Sequence, residues 1–334
     1  MIEKKGSTME ENQESPQSET ETSQEVKAEQ AQIEKPSLFK RSTLWFLAFL
    51  LAVSAMIYQR ATGPTYPAKI RVADGITAKL IRTHESTDDA IVELPAPFNE
   101  DNKPSAKLFY KRYRTSDEFI DVPMTLEVSS QKEDAPIYVL KASLPKQPAA
   151  GKLEYYIEAM IDGENRRFPA QSDDYVLIRY KDPVPDTILF PHVTLMIFSI
   201  LFGMRSGLAA LFAPYNMRQL AWLTLCGMTI GGMILGPCVQ KYAFGEYWTG
   251  FPLGGDWTDN KMLFMFLAWV FACSVIGFKP RKKEHPVGRI VVLLATIVMT
   301  VCYLIPHSMG GSELDYGQVD QGIDPSEAIK TGRQ

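Results

Sequence analysis

Five apolar runs, each close to the length that crosses a bilayer, constrain what this chain of 334 residues can fold into. The first reads LWFLAFLLAVSAMIY over 44–58, without a charge. Alone it makes only ~22 Å of helix; with Ser42, Thr43 and Gln59 it nears the ~30 Å apolar core. This predicts a first transmembrane helix over 42–60. Four further runs predict a helical bundle over 187–306, with spans at about 187–204, 219–239, 262–278 and 287–305. Val53-Ser54-Ala55 resembles a cleavage site, but a charged leader of forty residues does not suit a signal peptide. The first run is therefore read as an uncleaved signal anchor.

Basic residues set the expected orientation. Lys40 and Arg41 precede the first run, Arg205 and Arg218 flank the second connection, and KPRKKEHPVGR fills 279–289. With five spans and a cytoplasmic N-terminus, all three groups share one side, as the positive-inside tendency requires. The expected location is the inner (cytoplasmic) membrane, with the C-terminal tail, 307–334, outside. The averages conceal this arrangement: net charge −4, 46% hydrophobic residues and mean hydropathy −0.10 would suit a soluble protein. Residues 1–37 hold nine Glu, four Lys and no aromatic residue, which predicts a disordered acidic cytoplasmic tail over 1–41.

Residues 66–182 differ in kind. Period-two alternation predicts strands at Ile76–Thr83, Ala90–Leu94, Leu108–Tyr113, Val122–Val128, Ile137–Leu144, Leu153–Ile161 and Tyr175–Tyr180. Asp162-Gly163 is a two-residue hairpin signal. Short strands at this spacing indicate an all-β antiparallel sandwich on the outer side. The layout resembles immunoglobulin-like and fibronectin type III modules. The segment has neither Cys nor Trp, so the resemblance is architectural and implies no activity.

Signs of chemistry are sparse. His192 and His307 fall at similar depth near the outer surface, each after a proline. Intramembrane imidazole is costly unless it pairs. The pair therefore reads as axial ligands of haem b, as part of another metal site, or, more plainly, as two interfacial rings bonded to loop carbonyls. The outer loop QKYAFGEYWTGFPLGGDWTDNK and the tail following His307 offer Glu246, Trp248, Asp256, Trp257, Asp259, Glu313 and Asp315 as ligand-binding candidates. The plainer readings are an interfacial aromatic belt and an N-cap at Asp256 or Asp259. The loop's glycines point to tight turns or close backbone approach.

All four cysteines fall within spans, and Cys238 and Cys302 are candidates to pair or bind a metal. Gly203 with Gly207, Gly227 with Gly231 and Gly232 with Gly236 mark close helix approaches, within the bundle or to partner helices. No phosphate loop, dinucleotide fingerprint or nucleophile elbow is present. Nucleic acid is not an expected partner, since the basic residues collect at the inner face. These features point to a non-enzymatic binding or assembly subunit of the cell envelope. It would engage the bilayer and other envelope proteins through the sandwich, the outer loops and the glycine faces. The alternative is a haem b redox subunit.

Overall fold

The computed structural model describes residues 35–98, 103–132, 135–279, 284–307 and 311–330. The acidic tail expected over 1–41 and the basic cluster 281–283 fall largely or wholly outside them. Five helices are long and apolar enough to cross a membrane: α1 (Leu38–Thr62), α2 (Asp186–Phe212), α3 (Met217–Phe244), α4 (Trp257–Ile276) and α5 (Pro286–Leu304). Each extends past or shifts from its apolar run, because capping and polar contacts, not hydropathy, set the ends. Ser37 caps α1 and Asp256 caps α4 through side-chain oxygens that accept backbone N–H groups.

α2 to α5 pack around a core of Met204, Met228, Met265, Trp269, Val292 and Met299, with Ala48, Ala52 and Ala55 of α1 laid against it. The glycines permit this closeness. A Cβ on Gly203 would meet Met299 of α5 at 2.6 Å, on Gly231 Leu195 of α2 at 2.7 Å, and on Gly232 Met262 of α4 at 2.4 Å. These faces are thus filled from within the chain. Outward, Phe46, Phe49, Phe198, Leu223, Ile230, Leu267, Phe271, Leu294 and Val301 form an exposed apolar belt.

The middle of α3, Met228–Leu235, is π-helical. Pro237 has no N–H to complete the ladder, and the widened turn ahead of it accommodates the loss. At the end of the bundle remote from the sheet, arginines satisfy helix ends. Arg218 donates to the Ile276 and Gly277 carbonyls that finish α4, and Arg289 to Ala210 and Leu211 at the end of α2. Arg218 also grips buried Glu284 with two nitrogens, Nη2 at 2.8 and 3.0 Å and Nε at 3.1 Å.

Between α1 and α2, strands β1 (Ala68–Ala73) and β2 (Ile76–Leu80) pair as a hairpin. A mixed sheet of eight strands follows in the order β3-β10-β8-β5-β6-β7-β4, with β9 also on β8. Its members are β3 (Thr83–Glu85), β4 (Ala90–Pro95), β5 (Ser105–Arg112), β6 (Ile120–Lys132), β7 (Ala135–Leu144), β8 (Lys152–Ile161), β9 (Glu164–Phe168) and β10 (Val176–Lys181). The β3–β10 pair is parallel, unlike the wholly antiparallel arrangement expected from the alternation. Strand β6 is long enough to serve two partners: its first half pairs β5 and its second half β7. Leu94, Leu140 and Leu144 from one end of the sheet share a core with Leu153, Ile157 and Ile178 from the other. Asp162-Gly163 makes the β8–β9 turn, both residues at positive φ, as such hairpins need.

The tail returns to the sheet. Strand β11 (Glu313–Leu314) pairs β12 (Ile329–Lys330) around a short helix, α6 (Tyr316–Asp320). The buried Tyr316 hydroxyl accepts from Lys152 N at 3.0 Å. Asp182 N donates to Ala243 O, fixing the sheet's exit to the end of α3.

Candidate functional site

A cavity of about 520 Å³ lies where the sheet-side ends of the five helices meet β10. Its position follows from the topology: α1, α3 and α5 end there, α2 and α4 begin there, and the sheet domain sits above. His192, Trp248, Asp256, Asp259 and His307 line it, together with Gln59, Arg60, Arg179, Gln240 and Lys261. The opposite wall is apolar: Met56, Val193, Met196, Ile197, Met262 and Met265.

His192, on the second turn of α2, has its Nδ1 2.8 Å from the carbonyl of Gly231. A carbonyl only accepts, so Nδ1 carries the proton and Nε2 keeps a lone pair. The same carbonyl accepts Gly236 N across the π-helical turn, which brings it within reach of α2. His307 behaves oppositely. Lys261 Nζ at 2.9 Å and Gln59 Nε2 at 3.0 Å share the single lone pair of its Nδ1. An ammonium has only donors, so Nδ1 is the acceptor and the ring proton sits on Nε2. Desolvation by the converging helix ends, and then the Lys261 charge, hold the His307 imidazole below its ordinary range, although the residue keeps an exposed surface.

Lys261 is 2% exposed, one turn into α4. Its ammonium also donates to Ile305 O at 2.6 Å, just past the end of α5. Arg179 of β10, 8% exposed, donates to Ser312 O at 2.9 Å and lies 4.0 Å over the Phe244 ring. Burial pulls its guanidinium below the usual arginine value, against the pull of Asp256 and Glu313. Gly311 is wedged between these groups: a Cβ there would stand 3.0 Å from both Arg179 and Asp256.

The two aspartates serve the loop. Asp256 Oδ1 accepts Thr258 N as the N-cap of α4, and Oδ2 accepts the Thr249 hydroxyl. Asp259 Oδ2 accepts Thr249 N at 2.6 Å and shares the single hydroxyl proton of Thr249 with Asp256, while Gln240 donates to that hydroxyl. A Cβ on Gly250 would meet Asp259 at 2.6 Å, so the loop needs glycine to reach the start of α4.

Four expected site residues stand elsewhere. Glu246 and Trp257 are exposed at the loop surface. Glu313 is bonded to Lys152 at 2.7 Å in the tail's clasp on the sheet. Asp315 caps α6 and bonds Lys330, whose ammonium holds the Asp315 carboxyl below the usual carboxylate range. All four cysteines are free, and no group of three metal-ligating side chains occurs among the described residues.

Sequence reading missed Arg179, Lys261, Gln59, Arg60 and Gln240. Lys261 sits at the head of an apolar run, where charge is ordinary. Arg179 occupies a strand buried on both faces, which alternation cannot reveal. No family model matches the chain, and no curated protein is similar to it.

Proposed function

We propose that this chain is a multi-pass subunit of the inner (cytoplasmic) membrane, non-enzymatic, that binds a ligand or partner in the junction cavity. Its N-terminus is cytoplasmic, and the sheet domain and C-terminal tail lie outside. The apolar belt around five helices supports the membrane setting. Arg41, Arg218 and Arg289 all lie at the end remote from the sheet, which supports the orientation. We read the sheet domain as an immunoglobulin-like sandwich, since its two ends share one core. Envelope partners then dock through that domain and the exposed Tyr247, Phe251 and Trp257 loop. The glycine faces are less available to partners, being filled by the chain's own helices.

One observation carries the binding role: a cavity of about 520 Å³, polar at one pole and apolar at the other. That size and polarity suit a small-molecule site. The haem b reading draws on His192 and His307 lining one cavity, and His192 has the carbonyl-anchored geometry of many metal-bound imidazoles. The Lys261 ammonium against His307 weighs against it, since it fixes the proton on the nitrogen a metal would need.

A photoreactive phenylalanine analogue at Trp248 tests the binding role in intact cells. A discrete adduct, absent from a control at lipid-facing Leu294, is expected. An identical adduct pattern at both positions would sink the role. In the same purified protein a Soret band, lost in His192→Ala, would favour the haem reading instead.

A further inference from the structure

We propose that the junction cavity receives an amphiphile with an anionic phosphate or carboxylate head, recognised by Lys261 and Arg179. Its aliphatic part lies along Met196, Met262 and Met265. This rests on the binding role given above and names the ligand class.

The charge balance of the cavity leads there. Three cations line it, Arg60, Arg179 and Lys261, with two carboxylates, Asp256 and Asp259. Both carboxylates are committed to Thr249 and the N-terminus of α4. None of the three cations has a carboxylate within salt-bridge distance among the described residues. Lys261 uses two of its three N–H groups on neutral acceptors, Ile305 O and His307 Nδ1. Arg179 is more than nine-tenths buried, and its Nε has no hydrogen-bond partner. Asp256 and Glu313 act on Arg179 only from beyond salt-bridge distance, and a buried cation without a contacting counter-ion is costly unless a ligand supplies one. The neutral His307 tautomer adds an N–H at Nε2 on the same rim.

The other wall decides that the anion carries a tail. Met56, Met196, Met262 and Met265 are thioethers that adapt to flexible chains. Val193 and Ile197 also line the cavity, and they belong to the exposed side chains of α2, so the apolar pole continues towards the bundle's outer surface. A free inorganic anion would leave this wall unused.

Native mass spectrometry of the full chain in detergent micelles tests the assignment, with dioleoyl phosphatidic acid, oleate, dioleoylglycerol and inorganic phosphate as probes. One saturable adduct is expected with phosphatidic acid or oleate, about tenfold or more tighter than with dioleoylglycerol. Lys261→Met and Arg179→Gln should each weaken it about tenfold. Because those changes risk misfolding, Gly236→Leu provides a second test. A Cβ at Gly236 has ordinary contact with His192 at 3.7 Å, so a leucine fills the cavity from an open position. It should abolish the adduct while the melting temperature is kept. Equal binding of dioleoylglycerol would overturn the anionic head and leave the cavity's binding role standing. Phosphate binding as tightly as phosphatidic acid would overturn the tail. An adduct untouched by Gly236→Leu would place binding elsewhere and overturn both this inference and the binding role beneath it.

Discussion

Gly231 and Gly236 are five residues apart on one helix, yet they do different work. A methyl on Gly231 would strike Leu195 Cβ at 2.7 Å, an atom fixed to the α2 backbone, so relief requires α2 to move. Gly231→Ala should cost about 1–3 kcal/mol, the usual range for overpacking. A methyl on Gly236 would make only ordinary contact with His192, and Gly236→Ala should leave stability unchanged or slightly raised. Thermal unfolding of the two variants in the same detergent distinguishes them; equal gains would show that helix propensity, not the approach of α2, governs both sites. The sequence showed that these glycines permit close approach, but not which helix approaches, since spacing has no information about the neighbour. The same limit hid Arg179. Its charge reads as a solvent-facing strand position until the end of α3 and the tail cover that face.

Among elements, the helices were legible and their ends were not. Hydropathy located five spans, but α2 runs on to Phe212 past Arg205, and α3 on to Phe244 past Gln240 and Lys241. Arg205 and Gln240 remain helical because neighbouring elements cover them, while Lys241 stays exposed, and a hydropathy window cannot register that. The strands followed alternation where one face is buried, as in β4 and β8. The short β3, the arginine-bearing β9 and the hairpin strand β1 lacked that signal. The tail was read as a source of ligand carboxylates, whereas Glu313 and Asp315 hold it to the sheet or to itself.

Tyr316 is the centre of that clasp: its hydroxyl accepts Lys152 N and lies 2.9 Å from Gln147 Oε1. Tyr316→Phe leaves a buried backbone N–H unpaired and should cost about 1–3 kcal/mol. Hydrogen exchange should then quicken at Lys152 and in β8, with the helices unaffected; exchange unchanged at Lys152 would remove the clasp from the fold's supports. At the remote end, Arg218 and Glu284 form a pair with side chains 9% and 5% exposed. Glu284→Ala should destabilise the α3–α4 junction by about 3–5 kcal/mol, because it strands a buried guanidinium. A loss below about 1 kcal/mol, the surface-pair range, would show that the two carbonyls alone satisfy Arg218.

For the whole molecule, an apolar bundle and a polar sheet domain meet at a surface where neither could be complete alone. The helix ends there leave N–H groups and carbonyls to be satisfied: Asp256 caps α4, Lys261 reaches Ile305 O just past α5, and Asp182 N reaches Ala243 O at the end of α3. What remains is a cavity holding cations with no carboxylate in contact among the described residues, beside a methionine wall. The polarity division between the halves was plain in the sequence. The cavity was not, because its lining comes from six elements far apart along the chain. An experimental density map of the full chain, purified from its own membrane in a lipid nanodisc, examines the cavity most directly. We expect lipid density around the apolar belt and an elongated feature running from Lys261 towards Met196. A cavity holding water alone, with Lys261 turned onto Asp256, would show that the cations are balanced internally and that the junction is a structural seam without a ligand.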